Sequence, residues 1–156
     1  MGKYMREYII FDLETTGLDV NNDRIVEFAC CIVNNRGRKI EEELILLINP
    51  EIPIPERVIK IHGISNEMIR NKPAFRNVSH LIKSKFENRI AVAYHGFKFD
   101  FPFLKNEFKR CGVEFEYFGC IDPKVRVTNL DYKVESHSLV NISKHFNIPI
   151  KRAHRA

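Results

Sequence analysis

A short apolar run that ends in two acids constrains this chain more than any other segment. Residues Tyr8–Phe11 read as a buried strand, and Asp12 and Glu14 follow directly. Because side chains alternate between faces along a strand, the two carboxylates point the same way. Neighbouring carboxylates repel each other unless a cation lies between them, and Mg²⁺ and Mn²⁺ prefer such oxygen ligands. Two solvated acids at a strand end are the alternative, which the following Thr15-Thr16-Gly17 disfavours.

Length and charge limit the class of protein. The chain has 156 residues, of which 44% are hydrophobic, so we expect one domain with a hydrophobic core. Its net charge is +5, with basic residues clustered at 105–110, 124–126 and 151–155. This balance suits a polyanionic partner, although a basic solvated surface would give the same count.

Other simple features argue for a reduced, non-membrane environment. No window of about 18 apolar residues is present to span a bilayer, and the N-terminus lacks an apolar signal core. We therefore expect a cytoplasmic protein without membrane contact. The cysteines have neither disulfide nor zinc spacing, and we expect them to be reduced: Cys30, Cys31, Cys111 and Cys120.

The pattern of apolar and turn residues predicts a mixed α/β sheet. Strands are predicted over 6–13, 24–33 and 38–48, with a turn at Asn34–Gly37, which makes the opening an antiparallel meander. Strands and helices then alternate, which predicts five strands, the first three antiparallel, flanked by helices. The later predicted elements are helices over 56–60, 66–70 and 75–87, a strand over 90–94, a helix over 97–111, a strand over 118–121, a helix starting at Asp122-Pro123 and a helix capped by Ser136 or Ser138 that runs to Phe146.

Two more chemical groups stand out along the chain. Asp100 follows the strand predicted over 90–94 and lies in the first turn of the next helix. His154 lies in the terminal segment 151–156, among basic residues. Each has an ordinary explanation by itself, because acids are favoured at helix N-termini and basic tails are usually solvated.

Taken in order, these motifs resemble the DnaQ-like, or DEDDh, 3′–5′ exonuclease family, which includes the proofreading epsilon subunit of bacterial DNA polymerase III. Asp12–Leu18 resembles the first motif, Phe99-Asp100 the second, and Ala153–Ala156 the start of the last. His62–Ile64 resembles the family's His-Gly-Ile loop, and Cys120–Asp122 resembles the strand end before its fourth helix. The resemblance covers nearly the whole chain and implies a single domain of ribonuclease H-like fold.

The resemblance also implies a reaction and its catalytic residues. Members of this family hydrolyse phosphodiester bonds at 3′ ends of single-stranded DNA with two divalent ions, Mg²⁺ or Mn²⁺. Asp12, Glu14 and Asp100 would be the metal ligands. His154 would be the general base, since an imidazole titrates near neutral pH.

Five residues are candidates for substrate contacts. The backbone amides and hydroxyls of Thr15 and Thr16 would face the last nucleotide, and Leu18 would wedge against the terminal bases. His62 and Phe99 would line the pocket. Simple packing or loop structure is the alternative for each of them.

The chain departs from the family pattern at two places. Gly96 stands where the family often has an Asn, so we expect this loop to lack the hydrogen bond with which that Asn would brace it. The sequence ends two residues after His154, whereas the family's final aspartate comes five positions after that histidine. We therefore expect 1–156 to be a domain truncated before its last helix, weakly active, with three of the four acids. Asp122 and Asp131 are poor substitutes, because one reads as a helix cap and the other lies in a polar loop.

Three alternatives remain open from the sequence. One is a non-catalytic module of the same fold that binds nucleic acid or a polymerase subunit. Another is an exonuclease that trims RNA, although the Thr-Thr-Gly form of the first motif leans toward DNA proofreading. The third is a ribonuclease H-like endonuclease or transposase core, which lacks the His-Gly-Ile loop and the Phe-Asp motif in this order.

Overall fold

The computed structural model describes residues 6–129 and 134–150. Its strands form one sheet in the order β3-β2-β1-β4-β5. Strands β1, β2 and β3 are antiparallel, whereas β4 and β5 run parallel to β1. This topology confirms the predicted five-stranded mixed sheet. The strands are β1 (Glu7–Thr15), β2 (Ile25–Asn34), β3 (Leu44–Leu47), β4 (Ile90–Val92) and β5 (Cys120–Ile121).

Six helices are found among the described residues, and two of them have the serine caps that the sequence predicts. The Ser65 hydroxyl accepts a hydrogen bond from the Met68 amide at 3.3 Å, and the Ser138 hydroxyl accepts one from the Asn141 amide at 3.2 Å. None of these helices combines the length and apolar character needed to cross a membrane. The helices are α1 (Glu56–His62), α2 (Asn66–Ile69), α3 (Phe75–Phe86), α4 (Asp100–Arg110), α5 (Pro123–Asn129) and α6 (Leu139–His145).

Several predicted elements are shorter in the structure, among them the strand predicted over 90–94, which is Ile90–Val92. Only Leu44–Leu47 of the strand predicted over 38–48 pairs regularly, because Glu41 turns toward Lys85 and Arg89 and forms ion pairs of 2.7 Å with each. The helix predicted from residue 97 begins at Asp100, because the preceding residues form a turn. The strand predicted over 118–121 keeps its last two residues.

The core lies on the side of the sheet that α3 and α4 cover. Along β1, Ile9, Phe11 and Leu13 are buried, while the side chains between them point to the other face. Burial of each large apolar side chain contributes about 1.5–3 kcal/mol, so this packing fixes the register of β1. The four cysteines are unpaired, as predicted. Helices α3 and α4 add Phe75, Ile82, Phe86, Phe103, Leu104 and Phe108 to the core.

Candidate active site

The carboxyl ends of the three parallel strands meet at one edge of the sheet. In the strand register, Ile10 of β1 pairs with Val92 of β4, and Val92 pairs with Ile121 of β5. Asp12 lies two residues past Ile10, and Asp122 directly follows Ile121. In α/β proteins, ligands bind at this end of parallel strands.

The two acids of the first motif share the face of β1 opposite the core. Asp12 is exposed and Glu14 is half-buried, in alternation with buried Phe11 and Leu13. The register of β1 against β2 shifts between Glu14 and Thr15. Such bulges bend a strand and redirect its side chains, and they are frequent beside active sites. The backbone of β1 therefore places Asp12 and Glu14 on one face of the sheet, in the orientation that the sequence predicts.

Asp100 lies against β1 and is buried, with 2% of its surface exposed. Burial, followed by the nearby charge of Asp12, raises the pKa of Asp100 to about 8, although the backbone amides of Asp100 and Leu13 hydrogen-bond to its carboxylate. Its Oδ1 atom has no hydrogen-bond partner in the described part of the chain. The fold thus places beside Asp12 a buried carboxyl group of which one oxygen lacks a hydrogen-bond partner in the described part of the chain.

These carboxylates suit a hard divalent cation. A buried carboxylate oxygen without a partner costs free energy that a bound cation would offset, and an all-oxygen donor set is typical of Mg²⁺ and Mn²⁺ sites. Within residues 6–129 and 134–150, no three His, Cys, Asp or Glu side chains are clustered closely enough to hold a metal ion. The side chains of Asp12, Glu14 and Asp100 would therefore have to reorient on the backbone that carries them to share one.

The loop after β1 is built around Asp23. The Thr16 hydroxyl donates to Asp23 Oδ1 at 2.8 Å and accepts from the Arg24 amide at 3.0 Å. The Thr15 hydroxyl donates to the Gly17 carbonyl. Both hydroxyls that the sequence assigned to the substrate thus serve the loop itself, and their contact with a nucleotide stays a prediction. The role of Asp23, which accepts a hydrogen bond from Thr16 seven residues earlier, was not predicted from the sequence.

Leu18 lies at the tip of this loop with 83% of its surface exposed. The loop beneath it is ordered by the Asp19 amide, which donates to Asp23 Oδ2 at 2.9 Å, and by Arg110, whose Nη2 donates to the Asn21 carbonyl at 2.6 Å. An exposed leucine on a braced loop is suited to contact a ligand, as the prediction for Leu18 requires.

The two other residues assigned to the substrate pocket, His62 and Phe99, pack against other parts of the protein. His62 is 3% exposed, and its Nδ1 accepts a hydrogen bond from the Ile64 amide at 3.0 Å. That bond places the proton of a neutral imidazole on Nε2. Phe99 is partly buried, and its ring centroid lies 4.7 Å from that of Phe103. Their contact with a substrate stays a prediction.

An apolar groove of about 640 Å³ adjoins Asp12 on the open face of the sheet. Its floor is formed by β1, β2 and β4, and α6 borders it. Tyr94 also lines the groove, and its hydroxyl donates to the His137 carbonyl at 2.9 Å. Asp12 therefore lies at the boundary between apolar surface and the acidic site.

Asp122 has a role that the sequence did not reveal. Its carboxylate caps α5 by accepting the Lys124 amide at 2.9 Å, as predicted, but it also accepts the amides of His95 at 2.9 Å and Phe97 at 3.2 Å. Asp122 thus joins β5 to the segment that leads into Asp100. The predicted general base, His154, and Asp131 lie outside the described residues.

The mixed sheet and the acids at the carboxyl ends of its parallel strands define an α/β protein with an acidic site at one edge of the sheet. The exonuclease family model called RNase T matches residues 9–156. The chain therefore belongs to the RNase T exonuclease family, which confirms the predicted family.

Two relatives show the setting in which such domains occur. The DNA polymerase III PolC-type of Ureaplasma parvum is 34% identical over 151 residues, which are 96% of this chain and 10% of that protein. The 3′–5′ exonuclease DinG of Staphylococcus haemolyticus is 28% identical over 150 residues, 96% of this chain and 16% of that protein. The chain thus spans only a small part of the length of these relatives.

Solved structures share the fold. E. coli exonuclease I in complex with a dT13 oligonucleotide superposes with a TM-score of 0.86 at 19% identity, covering 97% of this chain and 38% of that one. The zinc-bound form of the E. coli exonuclease I complex with single-stranded DNA gives a TM-score of 0.85 at 20% identity, covering 97% and 37%. The predicted ribonuclease H-like fold is confirmed by this likeness.

Proposed function

We propose that this chain is a 3′–5′ exonuclease that removes nucleotides from the 3′ end of single-stranded DNA. The observation that carries the proposal is the buried carboxylate of Asp100 beside Asp12, with one oxygen unsatisfied in the described part of the chain. Such an arrangement is costly for a protein of purely structural role, and it is relieved when a divalent cation binds. Membership of an exonuclease family supports the same reading.

Each acidic residue then has a role. Asp12, Glu14 and Asp100 would hold two divalent ions, Mg²⁺ or Mn²⁺, which when bound supply positive charge that stabilises the phosphodiester oxygens during hydrolysis. Asp12 and Glu14 come from a strand whose register is fixed by the core, so the backbone that carries them is held in place before substrate arrives. His154 would accept a proton from the attacking water, and the product would be a nucleoside 5′-monophosphate.

Substrate positioning would depend on the loop after β1. Leu18 would pack against the terminal base from its exposed position, while the Thr15 and Thr16 hydroxyls keep that loop in shape. His62 and Phe99 would support the pocket from beneath. Because the relatives include PolC-type DNA polymerases, we propose a proofreading role in DNA replication, with a polymerase as partner and the cytoplasm as the location.

The test is a digestion assay on an oligonucleotide labelled at its 5′ end. We expect a ladder that shortens from the 3′ end in Mg²⁺ or Mn²⁺, and no cleavage in EDTA. Asp12→Asn should reduce the rate by at least about 100-fold, since it removes a carboxylate that no neighbour replaces. Glu42→Gln, which removes an exposed acid on the loop before β3, should leave the rate unchanged.

The same assay separates the alternatives. Binding of the oligonucleotide without any cleavage would favour the non-catalytic module. Cleavage of single-stranded RNA in preference to DNA would favour an RNA-trimming enzyme. Cutting of a circular single strand would favour an endonuclease, because a circle has no 3′ end.

A further inference from the structure

We propose that Asp122 is a positioning residue that holds the Asp100 segment in the conformation required to bind a divalent cation. The inference rests on the proposed function, since it assigns Asp100 to the metal. It concerns a residue that the first and second motifs do not contain. Asp122 follows β5, and its side chain is almost fully buried, with 5% of the residue exposed.

Three backbone amides converge on this one carboxylate. Oδ1 accepts from the His95 and Lys124 amides, both at 2.9 Å, and Oδ2 accepts from the Phe97 amide at 3.2 Å. Hydrogen bonds to a charged acceptor are roughly twice as strong as neutral ones. Asp122 therefore ties β5 and the start of α5 to the turn that follows β4.

The turn that Asp122 holds has a constrained backbone. His95 has a φ of 64°, in the left-handed region that non-glycine residues rarely adopt. The Phe101 amide donates to the Gly96 carbonyl at 2.9 Å. The braced turn thus connects directly to the first turn of α4, where Asp100 lies. A shift at His95 or Phe97 would therefore displace the first turn of α4 and the Asp100 carboxylate with it.

Gly96 lies in this turn, where there is no room for a side chain. A Cβ atom at this position would lie 2.7 Å from Ala93 Cβ and 2.9 Å from Phe101 Cε2. A side chain at this position would therefore displace its neighbours. The carboxylate of Asp122 supplies hydrogen bonds to the residues on either side of Gly96.

Two effects of Asp122 have to be distinguished, because its negative charge would attract cations over distance even if its hydrogen bonds had no role. Asp122→Asn keeps the size of the side chain and removes its charge. Asp122→Glu keeps the charge and displaces both oxygens by one methylene, so it disturbs the three hydrogen bonds alone. A purely electrostatic role predicts that only the Asn variant loses metal affinity, whereas positioning predicts a loss in both.

The experiment measures Mn²⁺ binding to the full chain by the EPR signal of unbound Mn²⁺, together with Tm and with kcat and KM on an oligonucleotide. We expect Asp122→Asn and Asp122→Glu each to weaken Mn²⁺ binding about 10-fold, the effect typical of residues that orient metal ligands. Both should lower kcat with little change in KM. Ile82→Val, in the core away from the site, should lower Tm and leave Mn²⁺ affinity unchanged.

Three results would overturn the inference. Wild-type affinity in Asp122→Glu would show that charge alone matters, and wild-type affinity in both variants would show that Asp122 has no part in the site. If Ile82→Val lost Mn²⁺ affinity in proportion to its loss of stability, general destabilisation would explain the effect of the Asp122 variants. If the wild-type chain binds no Mn²⁺, or binds it equally after Asp12→Asn, the proposed function fails together with the inference.

Discussion

The guanidinium group of Arg24 forms two hydrogen bonds with the buried carboxylate of Glu107, from Nε to Oε1 at 2.6 Å and from Nη2 to Oε2 at 3.0 Å. Arg110 adds a third, from Nη1 to Oε1 at 3.1 Å. Arg24 ends the loop that carries Thr16, and Glu107 lies in α4, the helix that begins with Asp100. The pair therefore connects the two motif-bearing parts of the site.

Glu107→Gln should lower the free energy of unfolding by about 3 kcal/mol, because removing one partner leaves a partly buried cation without its counter-charge. The Glu107 side chain is 1% exposed, so water cannot replace the lost interaction. Urea unfolding followed by circular dichroism gives the value. The double variant Arg24→Met with Glu107→Met should lose less than the sum of the single variants.

A surface ion pair provides the comparison. Lys105 and Glu116 lie 2.8 Å apart on the surface, with side chains that are 52% and 72% exposed. Glu116→Gln should cost less than about 1 kcal/mol. A similar cost for the Glu107 and Glu116 variants would contradict the role assigned to the buried pair.

Asp100 is expected to make the stability of the metal-free protein depend on pH. Its pKa is raised from 3.8 to about 8, first by burial and then by Asp12. The folded protein therefore holds this proton more tightly than the unfolded chain, so the free energy of unfolding falls as pH rises from about 4 to about 8. Stability that is present at low pH is thus lost as Asp100 ionises.

Asp100→Asn should remove this dependence while it abolishes cleavage. At pH 8 in EDTA, we expect the variant to be more stable than the wild type by about 2 kcal/mol, which raises Tm by about 4–8 °C. Thermal unfolding at pH 5 and pH 8 measures both effects. Glu116→Gln, the same chemical change on the surface, should not alter the difference between the two pH values.

The sequence predicts the parts of this site that depend on local pattern. Alternation along β1 is enough to place Asp12 and Glu14 on one face, because their neighbours Phe11 and Leu13 are apolar and must be buried. The position of Asp100 near a strand end also follows from the order of elements. The pattern alone does not distinguish a metal site from two solvated acids. The resemblance to a known family is what favours the metal site.

The rest of the site depends on contacts between residues that are distant in the chain. Asp122 reads as a helix cap, and only the parallel pairing of β4 with β5 brings it to the amide of His95. The burial of Asp100, and so its raised pKa, likewise results from packing of α4 on β1. Such contacts have no periodicity, and a single sequence therefore gives no signal for them.

Leu18 should affect substrate binding and not stability. Because 83% of its surface is exposed, Leu18→Ala should change the free energy of unfolding by no more than about 0.5 kcal/mol. Loss of its apolar contact with a terminal base should raise KM for single-stranded DNA about five-fold, which corresponds to about 1 kcal/mol of buried apolar surface. Leu81→Ala, on α3, should leave KM unchanged. An unaltered KM in Leu18→Ala would remove this residue from the substrate site.

Gly96→Ala tests whether the turn before Asp100 is as tightly packed as its surroundings indicate. The added Cβ would lie 2.7 Å from Ala93 Cβ and 2.9 Å from the Ala93 carbonyl oxygen, distances at which something must move. We expect a loss of about 1–3 kcal/mol, the usual effect of overpacking, measured by urea unfolding. Gly119→Ala is the matched control, because its Cβ would have no neighbour closer than 3.7 Å. Since the turn leads directly into α4, Gly96→Ala should also weaken Mn²⁺ binding, whereas Gly119→Ala should not. If the two variants bound Mn²⁺ equally well, the turn would have adapted to the added methyl group without displacing Asp100.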